Sequence, residues 1–261
     1  MSRENVEDYL FPALMFVIVI AAWELFVRVE HIPTFELPAP SLVIETLFKD
    51  WNTLFDSLLV TLSTTFEALI AAIGGGVALA LSFRLWRPLE RAFFPFAVVM
   101  QVTPVISIAP LLLVYLSSGE AVLVCAFLVA FFPILANTSL GLASADHNLI
   151  DLFELYGASR FQQLWLLRLP SALPYFLGGL RIGGGLALVG AIVAEIAAGS
   201  AGSGSGLAYR IVESGFRLNI PRMFAALLLI SVTGICIFLF FTGLSYLLLH
   251  KWHDSMRTRE R

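Results

Sequence analysis

Residues 151–170 read DLFELYGASRFQQLWLLRLP. Asp151 to Tyr156 predicts a short helix with acidic residues in its first turn, where they complement the helix dipole. Gly157 permits a sharp backbone turn that other residues adopt at a cost. Ser159 is placed to cap a second helix running from Arg160 toward Arg168, which Pro170 is expected to end. The enclosing segment 143–172, about thirty residues, is long for a connection inside a helical bundle. It therefore needs structure or a partner. Its apolar residues Phe153, Phe161, Leu164 and Trp165 are expected to be exposed, which argues for a partner.

Outward from this element lie apolar runs at 121–142 and 173–198. Each is long enough to cross a hydrocarbon core of about 30 Å, which takes roughly 20 residues. Similar runs recur at 10–29, 58–83, 89–116 and 223–249, making six candidate spans. Composition agrees: 59% of the 261 residues are hydrophobic and 13% charged, with mean hydropathy +0.87. Soluble domains are roughly a quarter charged. The expected fold class is all-α, a polytopic membrane protein forming one domain over residues 1–261. Trp23 and Glu24 within the first run, and Glu4, Glu7 and Asp8 before it, argue for a retained helix rather than a cleaved signal.

An even number of spans puts both termini on one side. If that side is the cytoplasm, it receives Arg3, Arg84, Arg87, Arg91, Arg160, Arg168, Arg181, Lys251, Arg257, Arg259 and Arg261. Arg28, Lys49, Arg210, Arg217 and Arg222 remain outside, so the positive-inside bias supports this orientation. The net charge of −3 offers no basic surface for nucleic acid. Cys125 and Cys236 both lie in apolar runs and read as separate thiols. In the outer segment 30–56, Pro33, Pro38 and Pro40 interrupt helix. The weakly amphipathic stretch 41–55 that follows is either an interfacial helix or a linker. Gly74 to Gly76 and the pair Gly179 and Gly183 suggest close helix packing. Pro95, Pro104 and Pro110 interrupt the third run, and freed backbone groups at membrane depth need protein or a wet cavity. That run is a candidate pore wall.

The spacing around Gly157 resembles a known family. Asp151 through Gly157, followed after nine residues by Leu167-Arg168-Leu169-Pro170, is similar to the cytoplasmic EAA loop (E-A-A-x-x-x-G, nine residues, I-x-L-P) of type I binding-protein-dependent ABC importer permeases. Leu152 and Phe153 depart from its two alanines. Residues 169–182, 193–196, 104–110, Gly119-Glu120 and 131–138 resemble the nitrate, sulfonate and taurine permease branch. The resemblance implies a pair of such subunits, identical or not, with a homodimer expected. It also implies two cytoplasmic ATPase subunits that use ATP and Mg, and an external solute-binding protein, all at the bacterial inner membrane. It assigns ATPase coupling to Asp151, Glu154, Gly157, Ala158, Leu167, Leu169 and Pro170. Alternating access would follow, with the chain doing no covalent chemistry.

A P-loop needs a lysine between glycine and Ser/Thr to reach the phosphates, and Lys49 and Lys251 stand in other contexts. No cofactor of its own is expected. The run from Gly202 to Gly206 lacks the G-x-G-x-x-G pattern after a strand and reads as a flexible turn. His250, His253 and Asp254 follow the last span beside Trp252 and read as interfacial anchors rather than a metal site. His31 and His147 have no visible partner for acid–base work.

Glu67 and Glu195 fall within predicted spans, where a carboxylate needs protein, water or a counter-charge. Glu67 reads as a structural hydrogen-bonding group between helices. For Glu195 a pathway role and a reach to the interface stand equal. Gln101, Thr103, Ser107, Asn137, Thr138 and Glu195 form the candidate solute pathway. They are mostly neutral, which suits a small polar or oxyanionic solute; the resemblance favours a sulfonate, taurine or nitrate-like one, with a heteroaromatic vitamin precursor such as a pyrimidine as the alternative. Arg210, Glu213, Arg217 and Arg222 offer charges for docking a binding protein. A secondary transporter or a vitamin-type capture subunit would share the six spans but leaves the EAA-like loop unexplained.

Overall fold

A computed structural model describes residues 3–199 and 204–250. The chain ascends and descends as α1 (Arg3–Val29), α2 (Pro40–Lys49), α3 (Trp51–Leu85), α4 (Arg87–Val102), α5 (Val105–Tyr115) and α6 (Ser118–Ala143). It continues through α7 (His147–Leu155), α8 (Arg160–Gln163), a π turn (Leu164–Arg168), α9 (Leu169–Ala198), α10 (Leu207–Phe216) and α11 (Ile220–Leu249). Five helices are long and apolar enough to cross a membrane, and the bent pair α4–α5 makes a sixth span. All six predicted runs therefore appear, although α3 begins seven residues before the expected start at 58.

The core is built on α6 and α9, whose small residues let the backbones meet. A Cβ added at Gly179 would lie 2.8 Å from the Asn137 Cβ, and one at Gly190 would lie 2.9 Å from the Ala126 Cα. Gly183 meets Ile134 in the same way, so the glycine pair in the fifth run is a packing stripe. Around it α3 contributes Leu69 and Ala72, and α11 contributes Ile237 and Phe241. Gly76 packs on Ile134 and Leu135, whereas Gly74 faces open space. By contrast α1 stands apart from the bundle and exposes most of its apolar length. Its C-terminal part is fastened by Trp23 against Phe224, ring centroids 5.7 Å apart.

Two short helices share one end of the bundle. The stretch 41–55 resolves into α2 and the first turn of α3, with Val43 and Leu54 buried against Leu207, Ala225 and Ala226. Asp50, between them, pairs with Arg222 at 3.2 Å. At the opposite end, α7 and α8 project beyond the spans.

Candidate functional site: coupling element and broken span

The α7–α8 element begins earlier than the acidic residues suggest. Asp146 accepts a hydrogen bond from the Asn148 N–H at 2.8 Å and caps α7 at His147. Asp151 therefore lies inside the helix, and no acidic residue occupies the first turn. At the other end Gly157 adopts φ +67°. The Ala158 N–H donates to the Phe153 carbonyl and the Gly157 N–H to that of Glu154, both at 2.9 Å. This is the Schellman closure, which places a left-handed residue just past a helix. Ser159 then opens α8 through a reciprocal capping box with Gln162, two orphan N–H groups being satisfied at once.

Pro170 does not end the second helix. α8, the π turn and α9 form one continuous rod over Arg160–Ala198. An interior proline lacks an N–H and crowds the carbonyl four residues back. Here the preceding turn widens, with the Leu169 N–H bonded to the Leu164 carbonyl, and Pro170 sits at the start of the next α-segment. Leu164 is buried against Phe83, Leu142 and Ala172 rather than exposed, and Phe153 is half-buried. The outward apolar surface instead comes from Leu155 and Tyr156, more than four-fifths exposed, with Phe161 and Trp165. Among the coupling residues, Asp151, Glu154 and Gly157 are exposed, Ala158 and Leu169 are half-buried, Leu167 is buried and Pro170 is exposed.

The third run breaks at Thr103-Pro104, where α4 and α5 meet at 100°. The Thr103 hydroxyl donates to the Val99 carbonyl at 2.7 Å and the Ser107 N–H to that of Pro104 at 2.9 Å, satisfying backbone groups at the break. A cleft of about 530 Å³ opens there between α4, α5, α6 and α9. Gln101, Thr103, Met100, Phe132, Val189 and Gly190 are in its wall, and among the described residues every lining side chain is uncharged.

The structure brings only Gln101 and Thr103 of the six pathway candidates into that wall. Ser107 lies on the exposed side of α5. Asn137 and Thr138 donate to the Pro133 and Ile134 carbonyls of their own helix. Glu195 is 6% exposed and turned to α10: it accepts from the Thr61 hydroxyl at 2.8 Å and from the Ala208 N–H at 3.0 Å. The Thr61 oxygen in turn accepts from the Leu207 N–H at 2.9 Å. Glu195 thus satisfies the start of a helix from another part of the chain, where the dipole favours a carboxyl. Glu67 is exposed on α3.

Sequence reasoning missed a second carboxyl of this kind. Glu24 on α1 accepts from the Ser41 N–H at 2.9 Å and the Ser41 hydroxyl at 2.8 Å, fastening the start of α2. Besides Arg28 one turn on, its partner is Ser41, seventeen residues away, and no local pattern announces that contact.

The outer charges are already engaged. Arg210 donates to the Ser57 hydroxyl at 2.8 Å and pairs with Glu213 at 2.9 Å. Arg217 meets the other Glu213 oxygen at 3.0 Å while remaining 70% exposed. The Arg210 hydrogen bond holds the Glu213 carboxyl below its usual range against an opposing burial effect, with the charges of Arg210, Arg217 and Arg222 assisting. Among the described residues no group of three or more His, Cys, Asp or Glu side chains is gathered to hold a metal. His250 stacks on Tyr246 at 5.2 Å, while His253, Asp254, Lys251 and Gly202 lie outside the described residues.

A broken span beside a packed α6–α9 pair, with a helix–turn–helix projecting from one end, is the frame expected of a transport subunit. The profile of the family described as "Binding-protein-dependent transport system inner membrane component" matches residues 72–251. The chain belongs to that family. It is the permease subunit of a type I ABC importer, a multi-pass membrane protein whose family works with ATPase and binding-protein partners.

The permease is 34% identical to the formylaminopyrimidine transport permease protein ThiX of Halalkalibacterium halodurans, over 86% of this chain and 88% of that one. It is 33% identical to the riboflavin transport system permease protein RibX of Chloroflexus aurantiacus (96% and 94%). It is 28% identical to the taurine transport system permease protein TauC of Escherichia coli (92% and 88%). A solved amino acid ABC transporter chain shares the fold, with a TM-score of 0.62 at 17% identity over 78% of this chain and 95% of that one.

Proposed function

We propose that the permease, paired with a second copy of itself, carries a small heteroaromatic solute of the pyrimidine class across the bacterial inner membrane. The observation that carries this reading is the cleft at the Thr103-Pro104 break. Gln101 and Thr103 offer neutral hydrogen-bonding groups, Phe132 offers a ring face, and among the described residues no basic side chain lines the wall. Charge-lined pores hold anions with Arg or Lys, whereas a neutral ring is met by amide, hydroxyl and aromatic groups. The relatives named for formylaminopyrimidine and riboflavin are more similar to the permease than the one named for taurine. A second reading, a taurine-like sulfonate, rests on that third relative.

In this reading both termini are cytoplasmic and α7–α8 seat on two ATPase subunits, whose closure on ATP drives alternating access. Gly157 makes the turn between the helices. The continuous rod from Arg160 to Ala198 then carries displacement of the element directly into the core helix α9. The outer helices α2 and α10 face the solute-binding protein.

Two measurements test this. The tagged permease should co-purify with an ATPase subunit. Proteoliposomes containing that complex, supplied with the binding protein and ATP, should accumulate a labelled aminopyrimidine and not taurine. Taurine uptake without pyrimidine uptake would reverse the substrate assignment and leave the permease assignment standing.

A further inference from the structure

Four arginines converge at the α7–α8 end of the bundle. Arg84 lies in the last turn of α3, Arg87 begins α4, Arg160 begins α8 and Arg168 ends the π turn. Together they line one cleft of about 480 Å³. Segments far apart in sequence bring them there, so the cluster is a product of the tertiary fold. Among the described residues Glu154 is the one carboxylate in the wall. Among the described residues none of these guanidiniums enters an ion pair. At the other end of the bundle, Arg28, Arg210, Arg217 and Arg222 each have a carboxylate partner.

The cluster is held in place. Arg168 is 8% exposed, and one of its nitrogens donates to the Leu142 carbonyl at 3.3 Å. A guanidinium has five N–H donors in a fork that matches phosphate oxygens, so most of that capacity remains for a ligand. Arg84 and Arg87 bring like charge to Arg168, and Glu154 opposes it. Four guanidiniums against that one carboxylate leave a net positive charge, which favours an anion in the cleft.

Apolar surface continues from the arginines along the spans. Leu85 and Trp86 line the cleft itself, and Trp86 is 61% exposed. A second cleft of about 460 Å³ shares Arg87 and adds Arg91, Glu90 and Phe94. Phe93 and Phe96 on α4 are also exposed. Guanidiniums at the end of an apolar span, with a tryptophan beside them, match a phospholipid: phosphate among the arginines and acyl chains along the helices.

We propose that the cleft formed by Arg84, Arg87, Arg160 and Arg168 binds the phosphate of an anionic phospholipid, phosphatidylglycerol, in the leaflet on the α7–α8 side. That this leaflet is the cytoplasmic one rests on the orientation proposed above. Arg160 and Glu154 belong to the coupling element and Arg84 and Arg87 to the α3–α4 junction. A phosphate between them therefore ties the element to the transport helices, and ATPase coupling acquires a dependence on anionic lipid. A free phosphate shares the same chemistry and is the other source to distinguish.

The test uses the full-length permease bound to its ATPase subunits, in nanodiscs of phosphatidylcholine with or without phosphatidylglycerol. Retained lipid is read by native mass spectrometry. The wild-type complex should retain phosphatidylglycerol, and Arg84→Gln/Arg87→Gln should retain it roughly thirtyfold more weakly, the loss expected for two surface arginines. Arg217→Gln at the other end should match the wild type. Arg87→Gln alone serves if the double variant does not assemble, with a proportionately smaller loss.

Three results overturn the proposal. The first is equal retention by the arginine variants. The second is displacement of the lipid by inorganic phosphate, which would make the cleft a soluble-anion site. The third is release of the ATPase by the variants with lipid retention unchanged, which would make the arginines part of the ATPase seat. Co-purification of the ATPase with the wild type stays independent of all three, so failure here leaves the transport reading untouched.

Discussion

Gly206→Ala is expected to loosen α10, and only while Glu195 is present. Gly206 has φ −78° and ψ −178°, an extended conformation that any residue adopts, so backbone strain does not explain the glycine. Space does: a Cβ at this position would overlap the Glu195 carboxyl carbon and both of its oxygens. Pushed aside, that carboxyl loses at least one of its two partners, the Thr61 hydroxyl at 2.8 Å or the Ala208 N–H at 3.0 Å. A hydrogen bond lost at a buried site is worth about 1–3 kcal/mol. Taking ~2 kcal/mol, the local opening of α10 becomes roughly thirtyfold more favourable.

Hydrogen exchange read by mass spectrometry on residues 207–216 of the full-length, reconstituted permease measures this directly. In a Glu195→Ala background the obstacle and its bonds are both gone. There Gly206→Ala should add less than about 0.5 kcal/mol, the limit for independent sites. If the alanine costs the same in both backgrounds, the contact between Gly206 and Glu195 is not what fixes α10, and the reasoning fails.

Gly157→Val should reduce solute transported per ATP hydrolysed without preventing membrane insertion. A Cβ there meets nothing within 4 Å, so the penalty is that of a left-handed residue, about 1–2 kcal/mol for an L-amino acid, with Gly157→Asn milder. Normal coupling in the valine variant would remove the turn from the mechanism. Arg217→Glu should raise the concentration of binding protein needed for half-maximal ATPase stimulation. Arg210→Glu should instead weaken protection of α10, because Arg210 is tied to Ser57 and Glu213; identical effects of the two variants would contradict this division. Acidification should loosen α10 through Glu213. Its carboxyl is depressed below the ordinary 4.5 in the folded protein, so the stabilisation is complete above that pH and is lost as pH falls through the lower folded value. Glu213→Gln should flatten the profile, and an unchanged profile would place the acid sensitivity elsewhere.

Much of the coupling element was readable from local chemistry. Gly157, Ser159 and Gln162 act on backbone groups within a few residues of themselves, and the turn and cap appear where those residues stand. Where an adjoining stretch shifts an element's bounds, the single-residue rule misleads. Asp151 looks like a first-turn residue until Asp146 is seen to cap the helix earlier. Pro170 looks like a terminator until the π turn is seen to make room for it. The three prolines of the third run were visible, but the 100° turn at Thr103-Pro104 depends on what α6 and α9 pack against it.

Carboxyls in apolar runs show the same limit most clearly. A rule that treats each intramembrane carboxylate as a functional candidate has no means of separating Glu195 from Glu67, because the difference is a partner and not a neighbour in sequence. Glu195 reaches the start of α10 and Glu24 the start of α2, each from the end of an apolar helix. In both cases the carboxyl supplies an acceptor that the short helix does not carry at its own N-cap, Ala39 and Gly206 having no side-chain cap bond. Helices of ten residues are marginal alone. Two such helices hold their position at this end of the permease through burial against α11 and through these caps, which tie α2 to α1 and α10 to α9.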